Sequence, residues 1–144
     1  MDENVLLLTA LIQGASKGKT KNSPATSDEE RIKIASAALN RIDPNSKAEW
    51  AGADLRSVLY NPRSPFYEFN GKNERTNEVL AGKVAKYNEK EYIRSMQIAS
   101  GLLKGTIPRT KGKFFIKPSE KPKMDWSKLK VVDTGDTYKF YDYK

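Results

Sequence analysis

The sequence of 144 residues contains no cysteine and no histidine. These two absences exclude thiol nucleophiles, imidazole bases, serine-histidine triads and the usual zinc sites. Acid-base chemistry must therefore come from carboxylates, lysine or tyrosine. We expect neither a metal ion nor another cofactor. The lack of cysteine does not decide the compartment, because a reduced cytoplasmic protein and an exported domain without disulfides both fit it.

The chain also lacks an apolar run long enough to span a bilayer. Its longest apolar stretch covers residues 5–12 and follows two acidic residues, whereas a signal peptide begins with a basic region. We interpret this stretch as a buried first helix. The sequence therefore predicts a protein that is made in the cytoplasm without a signal peptide and has no membrane partner.

Basic residues outnumber acidic ones, 26 against 18, which gives a formal net charge of +8. This excess favours polyanionic partners such as nucleic acid, teichoic acid or peptidoglycan. The acids are dispersed along the chain, and no helix-turn-helix or RNA-binding signature is recognisable. A nucleic-acid partner is therefore the least favoured of the three.

The hydrophobic periodicity predicts one domain over residues 1–144 that is helix-rich and ends in short strands. A Ser27-to-Glu30 spacing typical of a capping box opens the second helix. This order of elements predicts an α+β fold with a small C-terminal antiparallel sheet. The expected helices are 3–13, 27–41, 54–60, 77–87 and 89–103, and the expected strands are 113–116, 128–132 and 137–141, with a turn at 134–136.

Five segments carry a resemblance to a known family. Residues 11–18 read Leu-Ile-Gln-Gly-Ala-Ser-Lys-Gly and close the first helix, and residues 39–41 read Leu-Asn-Arg and close the second. Residues 58–62 read Val-Leu-Tyr-Asn-Pro, and residues 112–118 read Gly-Lys-Phe-Phe-Ile-Lys-Pro. The last hairpin ends in Phe140 and Tyr141. In this order, over residues 5–141, the segments resemble the spore-cortex-lytic cell-wall hydrolases.

The resemblance implies a lysozyme-like fold that cleaves the glycan strand of peptidoglycan between N-acetylmuramic acid and N-acetylglucosamine, as a lytic transglycosylase does. One glutamic acid suffices for that reaction, because it first protonates the leaving oxygen and then acts as a base while the muramyl residue closes an internal ring. The protein would act at the cell wall or in a phage particle, as an endolysin or a virion-associated component. Peptidoglycan glycan strands and other virion proteins are the implied partners.

The catalytic position of this family falls on Ala15, whose methyl group cannot transfer a proton. Three explanations remain open. The chain is an inactivated variant; or it is a natural pseudoenzyme, such as a non-catalytic phage structural protein that retains the fold; or another carboxylate, Glu29 or Glu68, has taken the role. Glu29 is also explained as a helix-capping acid. We expect position 15 to open into a sugar-sized groove beside the proline-rich loop, which comprises residues 61–67.

Candidate substrate-binding residues come from the resemblance and from the aromatic pattern. Phe66 and Tyr67 follow two prolines and either stack on sugar rings or pack inside the protein. Of the neighbours Phe114 and Phe115, one should face the core and the other the cleft. The full set of candidates for substrate binding is Ser64, Phe66, Tyr67, Phe115, Lys117 and Tyr138.

Overall fold

The computed structural model describes residues 1–120 and 126–144. In these residues the fold combines five α-helices with one small three-stranded antiparallel sheet, which confirms the expected mixture of helix and sheet. The helices are α1 (Glu3–Ala15), α2 (Asp28–Leu39), α3 (Leu55–Leu59), α4 (Glu74–Ala81) and α5 (Glu89–Lys104). The strands are β1 (Phe114–Ile116), β2 (Leu129–Thr134) and β3 (Lys139–Tyr143). Short 3-10 helices cover Tyr67–Phe69, Lys86–Asn88 and Trp126–Lys128.

Helix α1 lies at the centre of the fold. Its side chains are buried on every side from Leu7 to Gln13, as expected for a helix that is apolar around its whole circumference. It packs against α2, α3, α4 and α5. The carboxylate of Asp2 caps its first turn by accepting hydrogen bonds from the backbone N–H groups of Asn4 and Val5. No helix in the described part of the chain is long and apolar enough to cross a membrane.

The fourth helix begins three residues earlier and ends six residues earlier than the sequence predicted. Asn73 caps α4 by accepting a hydrogen bond from the backbone N–H of Thr76, and Gly82 ends the helix in a left-handed conformation with φ of +69°. A helix over 77–87 was therefore a wrong prediction, because it missed both the cap and the stop.

The C-terminal sheet has the strand order β1-β3-β2, so β3 is its central strand. Phe115 pairs with Phe140 across β1 and β3, and an irregularity between Val131 and Asp133 interrupts the pairing of β2 with β3. Because β2 continues to Thr134 and β3 begins only at Lys139, the connecting turn is later than predicted. Phe140 is fully buried and joins the sheet to the same hydrophobic core as α1.

Candidate functional site

The Leu-Asn-Arg segment that ends α2 holds the proline-rich loop in place. Arg41 donates hydrogen bonds to the carbonyl oxygens of Trp50 and Ser64, at 3.0 and 2.9 Å. Its guanidinium carbon also lies 4.4 Å from the ring centre of Phe66, and burial lowers the pKa of Arg41 to about 10. Ser64, a candidate for substrate binding, accepts a second hydrogen bond from Arg41 through its hydroxyl. This arginine therefore positions Ser64 and Phe66 from within the protein.

Asn61 fixes the start of the same loop. Its side-chain amide donates to the carbonyl oxygens of Glu49 and Ala51, and its oxygen accepts from the backbone N–H groups of Arg63 and Ser64. The contacts to Arg63 and Ser64 form a local turn, whereas those to Glu49 and Ala51 join the loop to an earlier segment. Arg41 and Asn61 together therefore fix the conformation of the loop that leads to Phe66.

Three of the candidate residues form one aromatic cluster. The ring centres of Phe66 and Phe115 are 6.0 Å apart, and those of Phe115 and Tyr138 are 5.0 Å apart. Phe66 and Tyr138 are buried, whereas Phe115 is half-buried and its neighbour Phe114 is buried. The structure therefore brings Phe66, Phe115 and Tyr138 together between the loop and the sheet.

Ala15 lies beside this cluster, at the C-terminal end of α1. Its carbonyl oxygen accepts a hydrogen bond of 2.9 Å from the hydroxyl of Tyr138. The residue is only 8% exposed and belongs to the hydrophobic core. The expected open groove at position 15 is therefore not found: the methyl group of Ala15 packs inside.

Glu68 is a buried acidic residue whose Cβ atom lies beside the end of α1. It lies in the 3-10 helix Tyr67–Phe69 and is 7% exposed. Its Cβ atom is 3.2 Å from the point where a Cβ atom would stand on Gly14, the residue before Ala15. The explanation in which another acid takes over the role of position 15 therefore has a candidate, Glu68, close to that position.

The surroundings of Glu68 favour its neutral form. Burial raises the pKa of Glu68 to about 7; the charge of Glu120 also raises it, and the charge of Lys117 lowers it. Burial, followed by the negative charges of Glu68 and Glu30, raises the pKa of Tyr138. Glu68, Tyr138 and Lys117 therefore lie within electrostatic reach of one another.

The remaining candidates are at the surface. Glu29 is exposed on the first turn of α2, and Lys117 is exposed after β1. Tyr67 precedes Glu68 and is 77% exposed, so its ring is open to solvent. The structure does not place Glu29 among the hydrogen-bonding partners of the aromatic cluster.

The buried carboxylate of α2 is Glu30, the neighbour of Glu29. Its Oε1 atom accepts hydrogen bonds from the backbone N–H groups of Thr137 and Tyr138, at 2.8 and 2.9 Å. A Cβ atom on Gly135 would overlap this carboxylate. Sequence analysis assigned Glu30 to a capping box, but only its backbone N–H takes part, bonded to the hydroxyl of Ser27. The side chain instead fixes the turn that carries Tyr138.

A buried polar cluster anchors α1 to two other helices. Arg31 is 2% exposed and donates to the side-chain oxygens of Gln13 and Ser95 and to the carbonyl oxygen of Thr26. Burial, with the nearby charge of Arg75, lowers the pKa of Arg31. Arg31 forms no ion pair with a carboxylate of the described residues. Neutral oxygens alone therefore satisfy this guanidinium.

An open cavity of about 340 Å³ borders Gly14 and Tyr67, near the C-terminal end of α1. Arg75 donates to the carbonyl oxygen of Gln13 and to the side chain of Asn88, while its Nη2 atom is buried without a hydrogen-bond partner in the described part of the chain. The cavity combines an exposed ring, amides and cations. Its lining residues are Gly14, Tyr67, Asn70, Lys72, Asn73, Glu74 and Arg75.

Among residues 1–120 and 126–144, no group of three or more acidic side chains is arranged to hold a metal ion. A scan of protein-family models, a search of curated protein sequences and a search of solved structures each found no match for this chain.

Proposed function

We propose that this protein is a peptidoglycan-directed domain of the spore-cortex-lytic type, with a lysozyme-like fold, and that Glu68 supplies the proton that residue 15 cannot. The observation that carries this proposal is the position of Glu68. It is buried beside the end of α1, next to the position where the family resemblance requires an acid. Its pKa of about 7 suits a general acid at neutral pH.

The chemistry needs one carboxyl group. Protonated Glu68 would donate its proton to the glycosidic oxygen as the bond from that oxygen to the anomeric carbon breaks. The resulting carboxylate would then take the proton of the muramyl hydroxyl as this oxygen bonds to the anomeric carbon and closes the internal ring. Glu68 thus regains the proton that it donated, and the reaction consumes no water. It also needs no second carboxylate, unlike the glycosidases that use two.

The surroundings of Glu68 fit a glycan that carries acidic peptides. The exposed ring of Tyr67, the residue before Glu68, offers an apolar face to a sugar. Lys72 and Arg75 in the adjoining cavity offer positive charge to stem-peptide carboxylates. Tyr138 acts as a positioning residue, because its buried hydroxyl donates to the carbonyl oxygen of Ala15. The net charge of +8 attracts the same partner over a longer range.

A non-catalytic phage structural protein that retains this fold is the second candidate. The burial of Ala15 and the low exposure of Glu68 favour it, because substrate must reach an acid before the acid can act. This candidate predicts stable association with other virion proteins and no turnover by any variant.

The deciding experiment incubates purified sacculi with the protein and measures released anhydro-muropeptides by mass spectrometry. We expect release by the unaltered chain and by Glu29→Gln, which changes an exposed acid, and none by Glu68→Gln. Release that persists in Glu68→Gln would refute the role of Glu68. If only Ala15→Glu releases product, the chain is an inactivated hydrolase with its acid at position 15. If no folded variant releases any, the structural protein is the better interpretation.

A further inference from the structure

A second cavity, of about 550 Å³, lies between the end of α2, the segment 109–113 and the outer face of β2 and β3. It shares no lining residue with the cavity at Gly14. Its lining residues are Asn40, Arg109, Thr110, Lys111, Gly112, Lys113, Lys130, Val132, Asp142 and Tyr143. The proposed cleavage of glycan uses none of them.

The charge of this cavity is strongly positive. Four cations line it against one acid. That acid, Asp142, is already paired with Lys113 at 3.0 Å. Arg109, Lys111 and Lys130 make no ion pair with any described residue. Three positive charges in a concave site are thus left for an anionic ligand.

The backbone that carries these cations is held in a fixed shape. The side-chain amide of Asn40 donates to the carbonyl oxygens of Thr110 and Gly112, each at 2.9 Å. The backbone N–H of Thr110 donates to the hydroxyl of Ser36 at 3.1 Å. Gly112 has φ of +113°, a conformation that a side chain would disfavour. Fixing the segment in advance lowers the entropy lost when a ligand binds.

Thr110 also contributes an unused hydrogen-bond donor. Its hydroxyl is buried and has no hydrogen-bond partner within residues 1–120 and 126–144. Buried hydroxyl groups are normally paired, so this one leaves an unfilled hydrogen-bond donor in the wall of a basic cavity. An anionic oxygen is the acceptor that suits it.

We propose that this cavity binds the phosphate groups of a polyol-phosphate chain. Phosphate oxygens satisfy both the free cations and the Thr110 hydroxyl. Single-stranded nucleic acid is disfavoured because its binding uses successive aromatic rings as stacking platforms, whereas this wall contains one aromatic side chain, Tyr143. Tyr143 is 40% exposed and packs against Trp50 and Phe114, with ring centres 6.2 and 5.9 Å away.

The first test measures binding of a fluorescent poly(glycerol phosphate) oligomer by anisotropy. The Arg109→Gln/Lys111→Gln variant should bind about tenfold more weakly, because two phosphate contacts disappear. For the same reason, the slope of its log binding constant against log salt concentration should be shallower by about 1.5. The Lys19→Gln/Lys21→Gln variant loses the same charge from an exposed loop and is the matched control. Equal losses in both variants, or no binding by the unaltered protein, would overturn the proposal.

The second test separates binding from folding. Thr110→Val should keep the thermal midpoint, because the hydroxyl makes no hydrogen bond to a described residue, and should weaken oligomer binding by about fivefold. Thr110→Ser keeps the hydroxyl and should bind as the unaltered protein does. Glu68→Gln should also bind unchanged, which would show that oligomer binding does not depend on glycan cleavage. A single-stranded oligodeoxynucleotide with equal phosphate number should compete at least about tenfold more weakly. Equal competition would identify nucleic acid and overturn the polyol assignment.

Discussion

The hydroxyl of Tyr138 donates a hydrogen bond to the carbonyl oxygen of Ala15 and thereby joins the turn before β3 to the last residue of α1. The two residues are 123 positions apart in the chain. This hydrogen bond thus joins the end of α1 to the sheet, beside the aromatic cluster of Phe66, Phe115 and Tyr138.

Tyr138→Phe removes this link without changing the size of the ring. We expect the free energy of unfolding to fall by about 1 to 2 kcal/mol, because the Ala15 carbonyl loses a buried donor. Urea unfolding followed by fluorescence measures it. Tyr141→Phe is the control, since Tyr141 is half-buried and contacts Trp126 only through its ring; it should cost less than about 0.5 kcal/mol. Equal losses would show that the Tyr138 hydroxyl has no special role.

Glu68 should make stability depend on pH in an unusual direction. Its folded pKa is raised from 4.5 to about 7, so the folded state binds this proton more tightly than the unfolded state does. The stability that protonated Glu68 contributes is therefore fully present below pH 4.5, and it is lost as the pH rises through 7. The difference in unfolding free energy between the unaltered protein and Glu68→Gln should shift by about 3 kcal/mol over this interval. A difference independent of pH would contradict the burial of this carboxyl group.

The rate of glycan cleavage should follow the same titration. The proton donor is present below pH 7 and is lost above it, so kcat/KM for soluble glycan fragments should fall about tenfold per pH unit on the alkaline side. Rates measured between pH 5 and 9 test this. A rate that stays constant up to pH 9 would exclude Glu68 as the acid.

Much of the helical part could be predicted because its signals are local. Hydrophobic periodicity located α1, α2, α3 and α5 to within a few residues at most ends, and the short apolar run Phe114-Phe115-Ile116 located β1. The errors at α4 came from two single-residue signals, the Asn73 cap and the left-handed Gly82, which a plain periodicity does not weigh.

The site was less predictable because its determinants are non-local. Glu30 satisfies a capping-box spacing with Ser27, so nothing nearby indicates that its carboxylate binds the backbone at Thr137 and Tyr138. In the same way, Tyr67 and Glu68 are adjacent polar residues of one loop, yet the first is exposed and the second is buried. That difference arises from packing against the end of α1. The Leu-Asn-Arg segment was recognised as a motif, but its bonds to residues 50, 64, 110 and 112 became apparent only in the structure.

Asn40→Asp should destabilise the protein through its contacts with the 109–113 segment. The substitution replaces the donor that serves two carbonyl oxygens with a charged acceptor that repels them. We expect a loss of about 2 to 3 kcal/mol in the free energy of unfolding, measured by urea denaturation. Asn45→Asp is the control, because Asn45 is exposed and its backbone N–H makes the recorded contact, to Asp43. If the two variants are equally stable, the hydrogen bonds from Asn40 to residues 110 and 112 contribute little to the free energy of unfolding.

Gly14→Ala should disturb the packing of α1 on α4. A Cβ atom at position 14 would overlap the hydroxyl of Thr76, which donates to the carbonyl oxygen of Ala10. We expect a loss of about 2 kcal/mol or more. The same substitution made together with Thr76→Ala should cost at least about 1 kcal/mol less than it does alone, because the obstructing atom is gone. Additive losses would rule out this steric cause.

The close approach of Gly135 to Glu30 has an evolutionary consequence. Any side chain at position 135 must enter the space that the Glu30 carboxylate occupies. Mutational drift at either position is therefore constrained by the other, although 105 residues separate them in the chain. A viable lineage that acquires alanine or serine at 135 should also carry a shorter residue at 30, and the turn would then need a new acceptor for its two amides.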